Sequence, residues 1–303
     1  MFKNILVPLD GSRLSEAALP PAAFLAEKLK ASVMLLHVIE QDAPSEVHNE
    51  HHLIDSVKAD AYLKEVAQKA FAPQVKVGTH VHTAPVSDVA RSIVEHATAE
   101  FHPDLIVTCT HGKGGMRDVL FGSIAQQVVA RGHTPLLLVK PVSADFKLDR
   151  ILLPLDPDSE HDESFSVAES LAEVLHSELR LLSVIPTYAT LAGKHVMTSS
   201  LLPASTTEFL NLRQEAALVH LQEHVEKLKS RGIASTAEVA RGDPASLIVK
   251  LAKENGIDLI ILSTHRKAGM DAFWALSVAP KVVQTARTPL LLIPLTEGSS
   301  SGN

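Results

Sequence analysis

The sequence predicts an α/β protein made of two tandem doubly wound domains, each a five-stranded parallel sheet flanked by helices. Three observations predict it. Asn4-Ile-Leu-Val-Pro-Leu-Asp10 returns as Arg150-Ile-Leu-Leu-Pro-Leu-Asp156. Pro103-Asp-Leu-Ile-Val-Thr-Cys-Thr-His111 returns as Ile257-Asp-Leu-Ile-Ile-Leu-Ser-Thr-His265, and Thr134-Pro-Leu-Leu-Leu-Val139 as Thr288-Pro-Leu-Leu-Leu-Ile293. Three matches in one order mark an internal repeat. The 303 residues accommodate two domains of roughly 150 residues each. Pro141 to Lys147 mixes proline, serine and charge and reads as the linker. The expected domains are 1–143 and 148–296, with 297–303 as a disordered tail.

Within the first copy, short β-branched runs alternate with segments of helical period. Strands are expected near Ile5–Asp10, Val33–Val38, Val75–Val81, Leu105–Thr110 and Leu136–Val139, and helices over Glu16–Lys30, Leu53–Ala70, Val89–Ala99 and Ser123–Arg131. The strands are continuously apolar, as parallel strands buried on both faces require. In such sheets the ligand crevice lies beyond the carboxyl ends of the strands, where the strand order reverses.

Composition narrows the function. Apolar residues make up 46% and charged residues 21% of the chain, and the net charge is −7. That balance excludes a broad nucleic-acid surface, which needs clustered basic residues. The first residues read as a strand and not as a signal peptide, and no apolar run reaches the roughly 18 residues that span a bilayer. Cys109 is the single cysteine, so no internal disulfide or thiolate zinc cluster forms. A cytoplasmic protein without membrane insertion is expected.

The chemistry concentrates after the fourth strand. Cys109-Thr-His111-Gly112-Lys113-Gly-Gly115-Met-Arg117-Asp-Val-Leu-Phe-Gly122-Ser123-Ile124 leads into a helix. Gly112 lets backbone approach a phosphate, and Gly122 with Ser123 sets free amides and a hydroxyl at a helix N-terminus, where the dipole favours an anion. Lys113 and Arg117 add positive charge.

This stretch resembles the ATP-binding signature of the universal stress protein family, a glycine, two residues, a second glycine, nine residues, then glycine with serine or threonine. Gly112, Gly122 and Ser123 fit it, while Cys109 stands at the first glycine. The resemblance implies that Asp10, at the end of the first strand, meets ribose and adenine, and that Val38, on the second, lies beside adenine. The expected nucleotide site of the first copy is therefore Asp10, Val38, Cys109, His111, Gly112, Lys113, Gly115, Gly122, Ser123 and Ile124. The ligand is ATP, AMP or ADP; any Mg²⁺ is held mainly by phosphate and water. The family's Gly-x-Pro element after the third strand is replaced by Thr83-Ala84-Pro85. The family also pairs its terminal strands, here Leu136–Val139 and Leu290–Ile293, which implies an intramolecular pseudo-dimer and leaves a homodimer open.

In the second copy the stretch reads Ser263-Thr-His265-Arg266-Lys-Ala-Gly-Met-Asp-Ala-Phe273-Trp274-Ala-Leu276-Ser277. All three glycine positions are lost, and Pro157 follows Asp156 where Gly11 follows Asp10. A structural role, or another ligand, is expected there. Ala189 to Thr207 reads as a long connection expected to cover that second site or to hold another ligand.

Other candidates read more plainly. Cys109 is expected to be a small buried side chain and not a redox thiol. His48, His51 and His52 with Glu50, and the pair His220 and His224, read as solvated surface; His80 and His82 share one strand face by period two. No metal site and no catalytic residue is assigned. The stripe Leu218, Leu221, Val225 and Leu228 is expected to pack on its own sheet. Two rival functions remain open: a nucleotide-free scaffold or small-ligand carrier, and an ATP-using adenylating enzyme, whose usual motifs are missing.

Overall fold

A computed structural model describes residues 1–42, 46–47, 50–51, 53–109, 125, 127–128, 131–141, 146–156, 163–187, 203–264 and 278–295. The chain divides into two compact units. The described residues of the first are those of 1–147 together with 264 and 289–295, and those of the second lie within 148–263 and 278–288.

The first unit opens with strand β1 (Asn4–Pro8), a short helix α1 (Arg13–Glu16), helix α2 (Leu19–Leu29) and strand β2 (Ser32–Glu40). The backbone of Glu46–Val47 (β3) and Glu50–His51 (β4) forms a two-residue antiparallel ladder in a stretch read from sequence as solvated surface. Helix α3 (Ser56–Ala70), strand β5 (Val77–Val86), helix α4 (Val89–His96) with a π-helical turn at Ala97–Phe101, and strands β6 (Leu105–Cys109) and β7 (Leu136–Val139) come next. The order β7-β6-β1-β2-β5 is parallel throughout. Against β7 lies strand β12 (Leu290–Pro294), antiparallel, with Leu290 opposite Leu138 and Leu292 opposite Leu136. The five parallel strands of the first copy are thus present, and the expected pairing of terminal strands turns them into a mixed sheet.

The second unit contains β8 (Arg150–Pro154), α5 (Glu163–Leu175), β9 (Glu178–Ile185), α6 (Pro203–Ser230), β10 (Ser235–Arg241), α7 (Pro244–Glu254), β11 (Leu259–Thr264) and α8 (Val278–Thr285). Its strands run in parallel order β10-β9-β8-β11. Pro203 begins a helix, so the end of the Ala189 to Thr207 connection is helical and residues 188–202 lie outside the described residues.

Consecutive residues are buried along the central strands, including Ile5 and Leu6, Leu35 and Leu36, Leu105 and Ile106, and Leu136 and Leu137. This is the mark of a sheet covered on both faces. Each such side chain contributes about 1.5–3 kcal/mol of transfer free energy. Helix starts are written in the sequence: Asp55 accepts from the Val57 and Lys58 amides, Asp88 from Arg91 and Asp243 from Ser246.

On α6 the expected apolar stripe needs one correction. Leu221, Val225 and Leu228 are buried, but Leu218 is 41% exposed. The buried face runs through Leu210 and Ala217, which pack with Ile185 and Val239; Leu218 stands about 100° round the helix from Ala217. Replacing Leu228 by alanine is therefore expected to cost about 2–5 kcal/mol, and the same change at Leu218 less than about 0.5 kcal/mol. Urea denaturation followed by circular dichroism checks this, and equal losses at both positions would contradict the assigned face.

Candidate functional site

In the first unit the strand order reverses at β1, which pairs with β2 on one side and β6 on the other. Pro8 lies opposite Leu36, and the Leu9 amide donates to the Leu36 carbonyl at 2.8 Å. Continuing that register by two residues sets Asp10 beside Val38. On the other side Cys109 is the last residue of β6. The structure thus brings Asp10, Val38 and Cys109 to the carboxyl ends of three adjacent strands at the topological switch point, where doubly wound sheets hold their ligands.

Local sequence fixes this corner. Asp10 Oδ1 accepts from the Ser12 amide at 2.9 Å and from the Ser12 hydroxyl at 2.7 Å. Ser12 Oγ in turn accepts from the Ser15 amide at 3.1 Å and caps α1. Asp10 therefore orients the cap without being the cap. Gly11 between them has φ +90°, a left-handed backbone that favours glycine, and a Cβ there would lie 2.6 Å from Leu53 Cδ1 and would have to displace that side chain. Leu53 is held by His37, a 1% exposed histidine whose Nδ1 is 2.7 Å from the Leu9 carbonyl oxygen and whose Nε2 is 2.8 Å from that of Leu53. His37 ties β2, the end of β1 and the lead into α3 together, and nothing in the sequence pattern marks it.

Two further groups sense the charge of Asp10. The Tyr62 hydroxyl donates to Glu16 Oε1 at 3.0 Å. Burial first, then the carboxylates of Glu16 and Asp10, raise its pKa far above the ordinary phenol value. The Cys109 thiol is pushed up to about 12, first by burial and then by Asp10. It is a neutral thiol at physiological pH, as expected of a non-redox side chain, but it is half-buried and not the fully buried residue expected at this position. Among the described residues the corner thus offers a carboxylate, an apolar valine and a small uncharged side chain. His111, Gly112, Lys113, Gly115, Gly122, Ser123 and Ile124 lie outside the described residues.

One expectation is corrected. Thr83-Ala84-Pro85 does not come after the third strand, because β5 continues to Val86 and contains it. Ser87 and the helix-capping Asp88 come after β5, matching Gly242, the capping Asp243 and Pro244 after β10. The Gly-x-Pro pattern therefore stands in the second copy, a signal that becomes visible only once β5 is extended past Pro85. In the second unit the Leu155 amide donates to Leu182 at 2.8 Å, as Leu9 does to Leu36. Asp156, however, is exposed, and residues 265–277 are not described.

The position of Cys109 is testable. In the folded protein at pH 7.5 it should react with a disulfide reagent on the order of 10³-fold more slowly than a free thiol, and at the free-thiol rate after unfolding. A fast reaction of the folded protein would mean that the thiol is not held in the half-buried setting beside Asp10.

The same fold recurs in known proteins. The family model described as "Universal stress protein family" matches residues 1–140 and again 147–294. A universal stress protein of Methanocaldococcus jannaschii is 34% identical over 149 residues, covering 46% of this chain and 83% of that protein. One from Synechocystis is 33% identical over 139 residues, covering 46% and 86%. Among solved structures, a universal stress protein from Archaeoglobus fulgidus shares the fold with a TM-score of 0.73 at 19% identity, covering 97% of each chain. A putative universal stress protein from Pseudomonas aeruginosa does so with a TM-score of 0.66 at 15% identity, covering 97% and 93%. With two matches that together take in nearly all of its length, this chain belongs to the universal stress protein family, in tandem form.

Proposed function

We propose that the chain is a cytoplasmic stress-response protein that binds one adenine nucleotide in its first copy and signals by that occupancy. The observation that carries this reading is the convergence of Asp10, Val38 and Cys109 on the switch point. Asp10 supplies a carboxylate of the kind that accepts from ribose hydroxyls, and Val38 an apolar wall for a base. The sequence after β6 carries Gly112, Gly122 and Ser123 at phosphate-binding spacing, with His111, Lys113, Gly115 and Ile124 in the same stretch.

The domains are taken as 1–143 and 148–296. The second copy, with Arg266 and Leu276 at glycine positions, is assigned a structural role or a different ligand. Among the described residues no helix is long and apolar enough to cross a membrane. Binding is the proposed activity, and no residue is assigned to catalysis.

Calorimetric titration of ATP, ADP and AMP into the full chain tests this. About one site per chain is expected, lost in Gly122→Trp and weakened at least tenfold, about 1.4 kcal/mol, in Asp10→Ala. Two sites per chain would overturn the assignment of the second copy. No binding to the wild-type protein would sink the nucleotide reading and leave a small-ligand carrier.

A further inference from the structure

On the edge of the first sheet, two strands from β1, three histidines and a carboxylate meet. His80 and His82 alternate on β5, the outermost strand. His96 is the last residue of α4, and Glu100 lies in the π-helical turn after it. Single π-turns of this kind recur at functional sites. His80, His96 and Glu100 each offer a ligand atom, all within 4.8 Å of one another.

The two nitrogens of His96 face different partners. Its Nδ1 is 3.1 Å from Glu100 Oε2, and its Nε2 is 3.0 Å from His82 Nδ1. Nδ1 is buried and makes no hydrogen bond, because the Glu100 oxygen lies outside hydrogen-bonding geometry. An unsatisfied buried nitrogen therefore stands beside a carboxylate, with the His80 ring 4.9 Å from that of His96. We propose that His80, His96 Nδ1 and Glu100 form a binding site for a divalent transition-metal ion of the Zn²⁺ class, with His82 as the outer partner that orients His96.

The donor set suits that ion. Two imidazoles and one carboxylate are borderline-to-hard ligands favoured by Zn²⁺ and its neighbours, and three protein ligands leave a position for water. Ligands sharing one tetrahedral Zn²⁺ at about 2.0–2.1 Å stand roughly 3.3 Å apart. The Glu100 side chain, 50% exposed, is free to rotate in and close the remaining gap. With Nδ1 on the metal, the proton of His96 sits on Nε2 and donates to His82 Nδ1. That is the arrangement metal-ligating histidines adopt, with the second nitrogen fixed by an acceptor.

Phe101 holds the rings in place, stacked on His96 at 5.7 Å and edge-on to His80 at 5.3 Å. The site is remote in sequence from the glycine loop and needs no nucleotide.

Titration of Co²⁺ into the full chain, followed by its visible absorption and by Zn²⁺ competition, tests the proposal. One ion per chain is expected at this site. His80→Ala and Glu100→Gln should each weaken binding at least tenfold, and His82→Ala by about 10–100-fold. Ala substitutions at His220 and His224, whose Nε2 atoms lie 3.2 Å apart on α6, and at His48, His51 and His52 should leave this ion in place. Glu100 is half-exposed, so Glu100→Gln keeps the fold, and circular dichroism checks each variant. Failure of the wild-type protein to take up the metal alone, or Co²⁺ affinity unchanged in both His80→Ala and Glu100→Gln, would overturn it.

Discussion

Each sheet is keyed by one carboxylate at its amino end. Asp104 accepts from the Lys3 and Asn4 amides at 2.7 and 2.9 Å, and Asp258 from the Asp149 and Arg150 amides at 2.9 Å each. These bonds clamp the first strand of a copy against its fourth before either makes a ladder bond, so Ile5 pairs with Leu105 and Ile151 with Leu259. A slip of one residue would turn every buried side chain to the opposite face. The same register, carried to the far end, decides which residues stand together beyond the sheet. The neighbourhood of Asp10 and Cys109 is thus set by an aspartate at the opposite end of the strands.

Much of this was legible in the residues. The repeat, the continuous apolar strands and the helix caps all depend on local pattern, and Leu136–Val139 forms a strand over the expected span. Boundaries blurred where local signals conflict. Pro85 reads as a strand end, yet among the described residues β5 is an edge strand, where proline is tolerated. Leu218 reads as core by composition, but a single step round α6 puts it in solvent.

The least legible features were those assembled across sequence distance. His80 and His82 were visible as a pair, whereas His96 joins them only because α4 packs back along the strand before it. Glu100 comes with it, four residues on and one turn away. His37 sits within an apolar run and shows no sign of its two carbonyl contacts until Leu9 and Leu53 are brought to it. By contrast the Asp10-Gly11-Ser12 corner spans three residues, and its chemistry could be read directly.

The antiparallel seat of β12 on β7 has a consequence for how the protein is made. Leu136–Val139 emerges from the ribosome about 150 residues before Leu290–Pro294, which at 5–20 residues per second is roughly 8–30 s of synthesis. Throughout that interval the nascent first sheet carries a bare Leu-Leu-Leu-Val rim, the kind of surface that recruits strands from neighbouring chains. Translation speed and chaperone capture in that window, more than the stability of the finished fold, would then govern how much protein matures.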